Sequence, residues 1–241
     1  MSGHSKWNNI KHKKEKSDAA KAKIFTKIGK EMAVAIKAGG PDPTVNGKLR
    51  DLIAKAKANN VPNENIQRTI KKFSENNDIV YEEISYEGYG PSGVAIIVET
   101  STDNRNRTAG NVRAWFNKYG GNMGQNGSVS FMFEEKGVIT IVDEDGEIDE
   151  DTIMEDALDC GAEDIKCDEG EYTIYTAPAD LDAVRDAIIA KKYKIDTADL
   201  AKVPTTYVEL TNQDDIENME KMLDKFNEDD DVNAVYTNWD N

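Results

Sequence analysis

From Asp18 onward, apolar side chains recur at three- and four-residue steps. Ile24, Phe25, Ile28, Met32 and Ile36 fall on one side of a 3.6-residue repeat, which predicts an amphipathic helix. Gly39-Gly40-Pro41 stops it. Leu49, Leu52, Ile53 and Ala56 define a second helix ending near Asn59-Asn60, and Pro62-Asn63-Glu64 opens a third with Ile66, Ile70 and Phe73 inward. Three short helices with one apolar face each predict a small bundle. The first sixteen residues have too few apolar side chains to bury and read as a mobile arm.

After Val80 the period changes. Strands are predicted at 94–100, 128–133, 137–142, 162–167, 172–176, 194–200, 205–210 and 232–238, with helices at 104–118, 150–160, 179–190 and 214–226. The stretch 135–203 then runs β-α-β-β-α-β, the ferredoxin-like order. The flanking pieces, joined across it, make a second set of the same order. The expectation is an α+β chain of three domains: a helical head at 1–80, a discontinuous ferredoxin-like sandwich at 81–134 plus 204–241, and a second, acidic one at 135–203 inserted into it. The crossings would fall at Glu135-Lys136 and Val203-Pro204.

Charge sharpens this division. The 241 residues carry a formal net charge of -16, which at first sight argues against a nucleic-acid binder. Yet Met1 to Val80 holds 17 Lys and Arg against 8 Asp and Glu, and the remainder holds 13 against 38. A basic head on an acidic body marks an interaction arm. No window approaches the roughly 18 apolar residues of a membrane span, and the basic first residues lead into no apolar segment of a secretory signal. Gly3 is not at the second position, so the N-myristoylation pattern fails. Cys160 and Cys167, the two cysteines, make neither a disulfide framework nor a four-ligand metal site. These features predict a cytoplasmic protein with no cofactor, no metal and no small-molecule substrate.

Catalytic motifs are missing as well. Gly88-Tyr-Gly90-Pro-Ser-Gly93 matches the dinucleotide-binding glycine pattern letter for letter, but that motif must open a helix, and here the strand-forming Val94-Ala-Ile-Ile-Val98 follows. A tight turn feeding a strand is the better account. His4 and His12, the only histidines, lie in the basic arm without a buried carboxylate to make either a general base. Cys160 and Cys167 read as small core residues. No Walker loop, zinc-protease motif or nucleophile elbow occurs. No catalytic residue is assigned.

The arm Lys6-Trp7-Asn-Asn-Ile-Lys11-His12-Lys13-Lys14 carries the strongest chemical signal. Lysines neutralise phosphates and release counterions, and the Trp7 ring can stack on a base. The competing reading is a solubilising tail anchored by Trp7. Lys21, Arg50, Lys55 and Lys57 extend the candidate surface along the head; Arg50, Lys55 and Lys57 edge the second helix's apolar stripe. Arg105, Arg107 and Arg113 stand out because arginine is rare elsewhere. Their forked guanidiniums suit phosphate, or equally the acidic body. Asp143-Glu-Asp145 and Glu228-Asp-Asp-Asp231 read as solvated loops, or as runs that repel nucleic acid from all but selected faces.

Taken together, Gly3-His-Ser-Lys6-Trp7, Ile10-Lys-His-Lys-Lys14, Asp18-Ala19, Lys30-Glu31, Gly39-Gly40, Asp42-Pro43, Asn46, Leu49-Arg50, Lys55-Ala-Lys57, Pro62 and Asn65-Ile66 resemble the head of the YebC/PmpR family. Tyr86-Glu-Gly-Tyr-Gly-Pro91, Thr102-Asp-Asn-Arg-Asn-Arg-Thr108 and Gly127-Ser-Val-Ser-Phe-Met-Phe133 resemble its second domain, so the likeness covers essentially the whole chain. Lys21 stands where arginine is expected, Ser92 where glycine is, and Phe73-Ser74 replaces a Gly-rich link. The resemblance implies a three-domain, metal-free, non-enzymatic regulator. Bacterial members are described as DNA-binding transcriptional regulators. Mitochondrial relatives are translational activators, and bacterial ones have been linked to ribosomes stalled on proline-rich nascent chains. The absence of a transit peptide before the head would suit the bacterial cytosol. Three functions follow as expectations: a DNA-binding transcriptional regulator, a translation factor on ribosomal RNA or the ribosome, and a protein–protein adaptor. Lys6, Trp7, Lys11, His12, Lys13, Lys14, Lys21, Arg50, Lys55, Lys57, Arg105 and Arg107 are the predicted nucleic-acid contacts. No membrane partner is expected.

Overall fold

The computed structural model describes residues 18–75, 79–143, 145–168 and 170–240, with side chains from Ala22 onward. The predicted mobile arm lies outside the described residues. The architecture is α+β, with a three-helix head and two four-stranded antiparallel sheets among the described residues. In the head, α1 (Asp18–Gly39) packs against both α2 (Gly47–Ala58) and α3 (Asn63–Ser74). Ile28, Met32, Ala35, Ile36, Leu49, Leu52, Ala56 and Ile66 form its core, flanked by Ile24, Ile53, Val61, Ile70 and Phe73. The predicted apolar stripes therefore meet as their spacing requires. Between α1 and α2 the chain turns on Asn46, which is buried. Its amide donates to the carbonyls of Ala35 at 2.8 Å and Gly40 at 2.7 Å and accepts from the Leu49 N–H at 3.1 Å, capping α2.

The first sheet belongs to the same compact unit as the head, made of the described residues of 10–130 together with Leu210–Thr237. Strand β1 (Glu82–Tyr89) turns back through a short 3-10 turn into β2 (Ala95–Thr102); α4 (Arg105–Lys118) and the two-residue β3 (Asn122–Met123) follow. The order is β3-β1-β2-β9, with β9 (Val232–Thr237) arriving after α7 (Gln213–Glu228). Val94–Val98 are buried on the sheet side, and Val112, Phe116, Met219, Met222, Leu223 and Phe226 on the helices that cover it. Phe116 and Phe226 join α4 to α7 with ring centroids 5.3 Å apart. The glycine-rich run is a hairpin turn: Gly90 N–H bonds Val94 O at 2.7 Å, and no helix opens there.

Two predicted strands differ in the structure. Residues 128–132 are a turn, and strand begins only at Phe133. The cause is Glu87, a buried carboxylate of β1 that accepts the N–H groups of Gly127 (2.8 Å), Val129 (2.8 Å) and Ser130 (2.9 Å), so these amides are held off any sheet ladder. Burial pushes the Glu87 carboxyl up, but these bonds outweigh it and hold it below the usual range. In 205–210 only β8 (Val208–Glu209) pairs, in parallel with β10 (Trp239–Asp240). Strand β1 itself was not predicted, so this sheet's element order is β-β-α-β…α-β rather than β-α-β-β-α-β.

The second unit comprises Phe131–Glu209 with the described residues from Asn238 onward. It runs β4 (Phe133–Val142), α5 (Glu150–Asp159), β5 (Asp164–Asp168), β6 (Glu171–Thr176), α6 (Leu181–Ala190) and β7 (Thr197–Pro204), with strand order β5-β6-β4-β7. That is the ferredoxin-like series predicted for 135–203. Ile139, Ile141, Tyr172 and Ile174 from the sheet meet Ile153, Ala157, Val184 and Ile188 from the two helices.

Candidate nucleic-acid interface

The head's cations divide by direction. Lys23, Lys27 and Lys30, at i, i+4 and i+7 on α1, all point at the end of α7 and the turn after it. Lys23 donates to Glu228 O, Lys27 to Asn227 O at 3.1 Å and Lys30 to Asp230 O at 2.9 Å. A helix C-terminus leaves carbonyls without intrahelical partners, and ammonium groups suit them. Lys30 also pairs with Asp231 Oδ1 at 2.6 Å.

Asp231 is the hub of this junction. Its other oxygen accepts from Arg107 at 2.7 Å, Thr108 at 2.8 Å and Thr102 at 3.2 Å, while its backbone carbonyl takes the Ser101 N–H at 2.8 Å. Burial alone would raise its carboxyl, but the bonds from Arg107, Lys30 and Thr108 hold it down to about 2. Lys30 belongs to the head and Arg107 to α4, so one buried carboxylate ties head and sheet together. Arg107 also bonds Asp103 at 2.8 Å. Of the two partners foreseen for the arginines, phosphate or acidic body, Arg107 has the acidic body.

Helix α2 sorts its cations the same way. Lys48 reaches Glu83 of β1 at 2.7 Å, and Lys55, seven residues on, is half-buried and engaged. Arg50 and Lys57, also seven apart, share a different and exposed stripe; the acid near Arg50 is its neighbour Asp51, at 3.7 Å. On α3, Arg68, Lys71 and Lys72 are exposed. Sequence reading passed over these three, although their place on a head already rich in lysine was visible. Arg105 and Arg113 of α4 are exposed and make no ion pair among the described residues. Lys6, Trp7, Lys11, His12, Lys13 and Lys14 lie outside the described residues, as does the side chain of Lys21.

No group of three or more His, Cys, Asp or Glu able to hold a metal occurs among the described residues. Cys160 and Cys167 are half-buried, and burial pushes both thiols up, away from the reactive thiolate. No helix of the described residues is long and apolar enough to cross a membrane.

Comparison with known proteins divides the chain at the end of the same helical head. Residues 5–76 match the TACO1/YebC protein N-terminal domain and residues 81–239 the TACO1/YebC second and third domain. The chain belongs to the TACO1/YebC family. It is 54% identical over 240 residues, 99% of each chain, to a protein of Acetivibrio thermocellus named "Probable transcriptional regulatory protein". It is 55% identical over 241 residues, 100% of both chains, to one of the same name from Agathobacter rectalis. Among solved structures, a conserved hypothetical protein of Aquifex aeolicus superimposes with a TM-score of 0.83 at 39% identity, over 92% of this chain and 91% of that one.

Proposed function

We propose that this chain is a non-catalytic regulator of gene expression that contacts nucleic acid through its basic head, with DNA the target that the relatives' names favour. One observation carries the reading: in a chain of net charge -16, α1 turns Lys23, Lys27 and Lys30 onto the fold, while α2 keeps Arg50 and Lys57 on a stripe facing solvent. Cations that serve only the fold find partners. An exposed basic stripe beside a lysine-rich arm is suited to a phosphate backbone. The primary contact is assigned to Lys6, Trp7, Lys11, His12, Lys13 and Lys14 of the arm, with Lys21, Arg50 and Lys57 continuing it along the head. Lys55 and Arg107, already engaged within the protein, contribute through their neighbours.

The test is binding of the full chain to nucleic acid across a salt series, together with ultraviolet crosslinking in cells. Replacing Lys11, Lys13 and Lys14 with Glu is expected to weaken binding and to flatten its salt dependence by about 0.9 per lost phosphate contact. An unchanged slope would sink the assignment of the arm. Crosslinks at promoter DNA support the transcriptional form of the proposal; crosslinks concentrated on ribosomal RNA would make the protein a translation factor instead.

A further inference from the structure

Helix α4 carries Arg105, Arg107, Arg113 and Lys118 and no acidic residue. Its two flanks differ. On one, Arg107 joins Asp103 and Asp231, Asn111 bonds Asp229 at 3.3 Å, and Lys118 lies over the Tyr119 ring at 5.3 Å. That flank is engaged with the protein. On the other stand Asn106, Gly110, Arg113 and Asn117, at i−4, i, i+3 and i+7, all exposed, with Arg105 at the helix start. Arg105 and Arg113 are two turns apart, roughly 12 Å along the axis. Burial pushes the Tyr86 hydroxyl up, and the charges of both arginines pull it back; Glu82 and Asp231 act on that hydroxyl in the opposite sense.

Gly110 is the second observation. A glycine inside a helix is worse than alanine by about 1 kcal/mol. A glycine is required where a side chain would collide, as at Gly88 in strand β1, whose added Cβ would meet Asn122 O at 2.6 Å. At Gly110 an added Cβ meets nothing within 4 Å. Nothing within the described chain requires this glycine. A partner whose backbone approaches the helix closely would.

We propose that the Arg105–Asn106–Gly110–Arg113–Asn117 face of α4 is a second nucleic-acid contact, on which a sugar–phosphate backbone lies against Gly110 between the two arginines. This rests on the nucleic-acid reading above and adds a surface that the head does not supply. Guanidinium forks bind phosphate oxygens bidentately, and the amides of Asn106 and Asn117 can donate to phosphate or sugar oxygens.

The experiment uses the full chain, a short labelled DNA duplex and an RNA hairpin of equal length, with binding and thermal melting measured for each variant. Gly110→Gln places a helix-favouring side chain on the face. Its melting midpoint is expected to rise while its affinity for one or both probes falls. Replacing Arg105 and Arg113 together with Ala should lower the salt slope on the same probe by about 1.8. Wild-type affinity in Gly110→Gln, or an unchanged slope in the arginine pair, overturns the proposal. A lowered midpoint in Gly110→Gln would also overturn it, since the glycine would then serve the fold. A third variant, Arg50→Ala with Lys57→Ala, separates the two readings. If it alone loses salt slope, the head interface stands and the α4 face does not; if the wild-type chain binds neither probe, both fail.

Discussion

Helix α4 on the first sheet and helix α5 on the second carry opposite charge. Helix α4 has four cations and no acid, whereas α5 of the inserted sandwich has Glu150, Asp151, Glu155, Asp156 and Asp159 and no cation. Both are amphipathic, and both bury their apolar residues on a four-stranded antiparallel sheet. Their inward faces answer to the same packing demand; their outward faces do not, and there they diverge. The lesson is that the architecture leaves the outer surface of each helix free, so function must be argued from that surface rather than from the fold.

Each unit also holds an aspartate that gathers a cation and a hydroxyl, and the two differ in depth. Asp231 is buried and serves head, sheet and α4. Asp156 accepts from Lys191 at 2.6 Å and Tyr193 at 2.8 Å near the surface of one helix pair. The largest effect is therefore expected from Asp231→Ala, which leaves Lys30 and Arg107 uncompensated and should destabilise the head-bearing unit by about 3 kcal/mol, read from its denaturant midpoint. The pH dependence has a definite sign. The folded-state carboxyl is held below its ordinary 3.8, at about 2, so its contribution is present in full above pH 3.8 and is lost as pH falls through about 2. The gap between wild type and Asp231→Asn should be constant from neutral pH down to about 4 and shrink below that.

A smaller effect is expected at Gly137 in β4. There an added Cβ would lie 2.2 Å from Thr176 Oγ1 and 2.9 Å from Leu181 Cβ, so Gly137→Ala should cost the inserted unit about 2 kcal/mol. Gly110, with open space above it, should respond with the opposite sign. The smallest effect belongs to Asp156→Ala. Its ion pair with Lys191 is exposed, and such pairs contribute little. Melting should be nearly unchanged, and nucleic-acid binding entirely so. Weakened binding in that variant would erase the functional contrast between the two surfaces.

Much of this was legible in the residues. The apolar stripes of the head and the ferredoxin-like series of the insert follow from periodicity, because each element buries one face against a neighbour close in sequence. Strand β1 escaped because the positions of one face, Ile84, Tyr86 and Gly88, contain one aliphatic side chain, and those of the other, Glu83, Ser85 and Glu87, look like loop. The turn at 128–132 escaped for a related reason: Val129, Phe131 and Phe133 alternate like a strand, and the carboxylate that captures the amides of Gly127, Val129 and Ser130 lies 40 residues or more earlier. For the candidate site, composition identified Arg105, Arg107 and Arg113 as unusual without separating them. The separation depends on Asp231, 124 residues beyond Arg107. Likewise the seven-residue spacings Lys48–Lys55 and Arg50–Lys57 could be read from sequence, but which stripe meets β1 could not.

The three lysines of α1 on the end of α7 bear on how the protein can be taken apart. A head cut away after Val80 would leave Lys30 without its carboxylate and Asp231 without its ammonium ion, and would strip three donors from the carbonyls at 227–230. Each fragment would then expose a surface built for the other. The head is joined to its sheet as a keystone is to an arch, so the smallest piece in which its chemistry can be judged includes the chain's last helix.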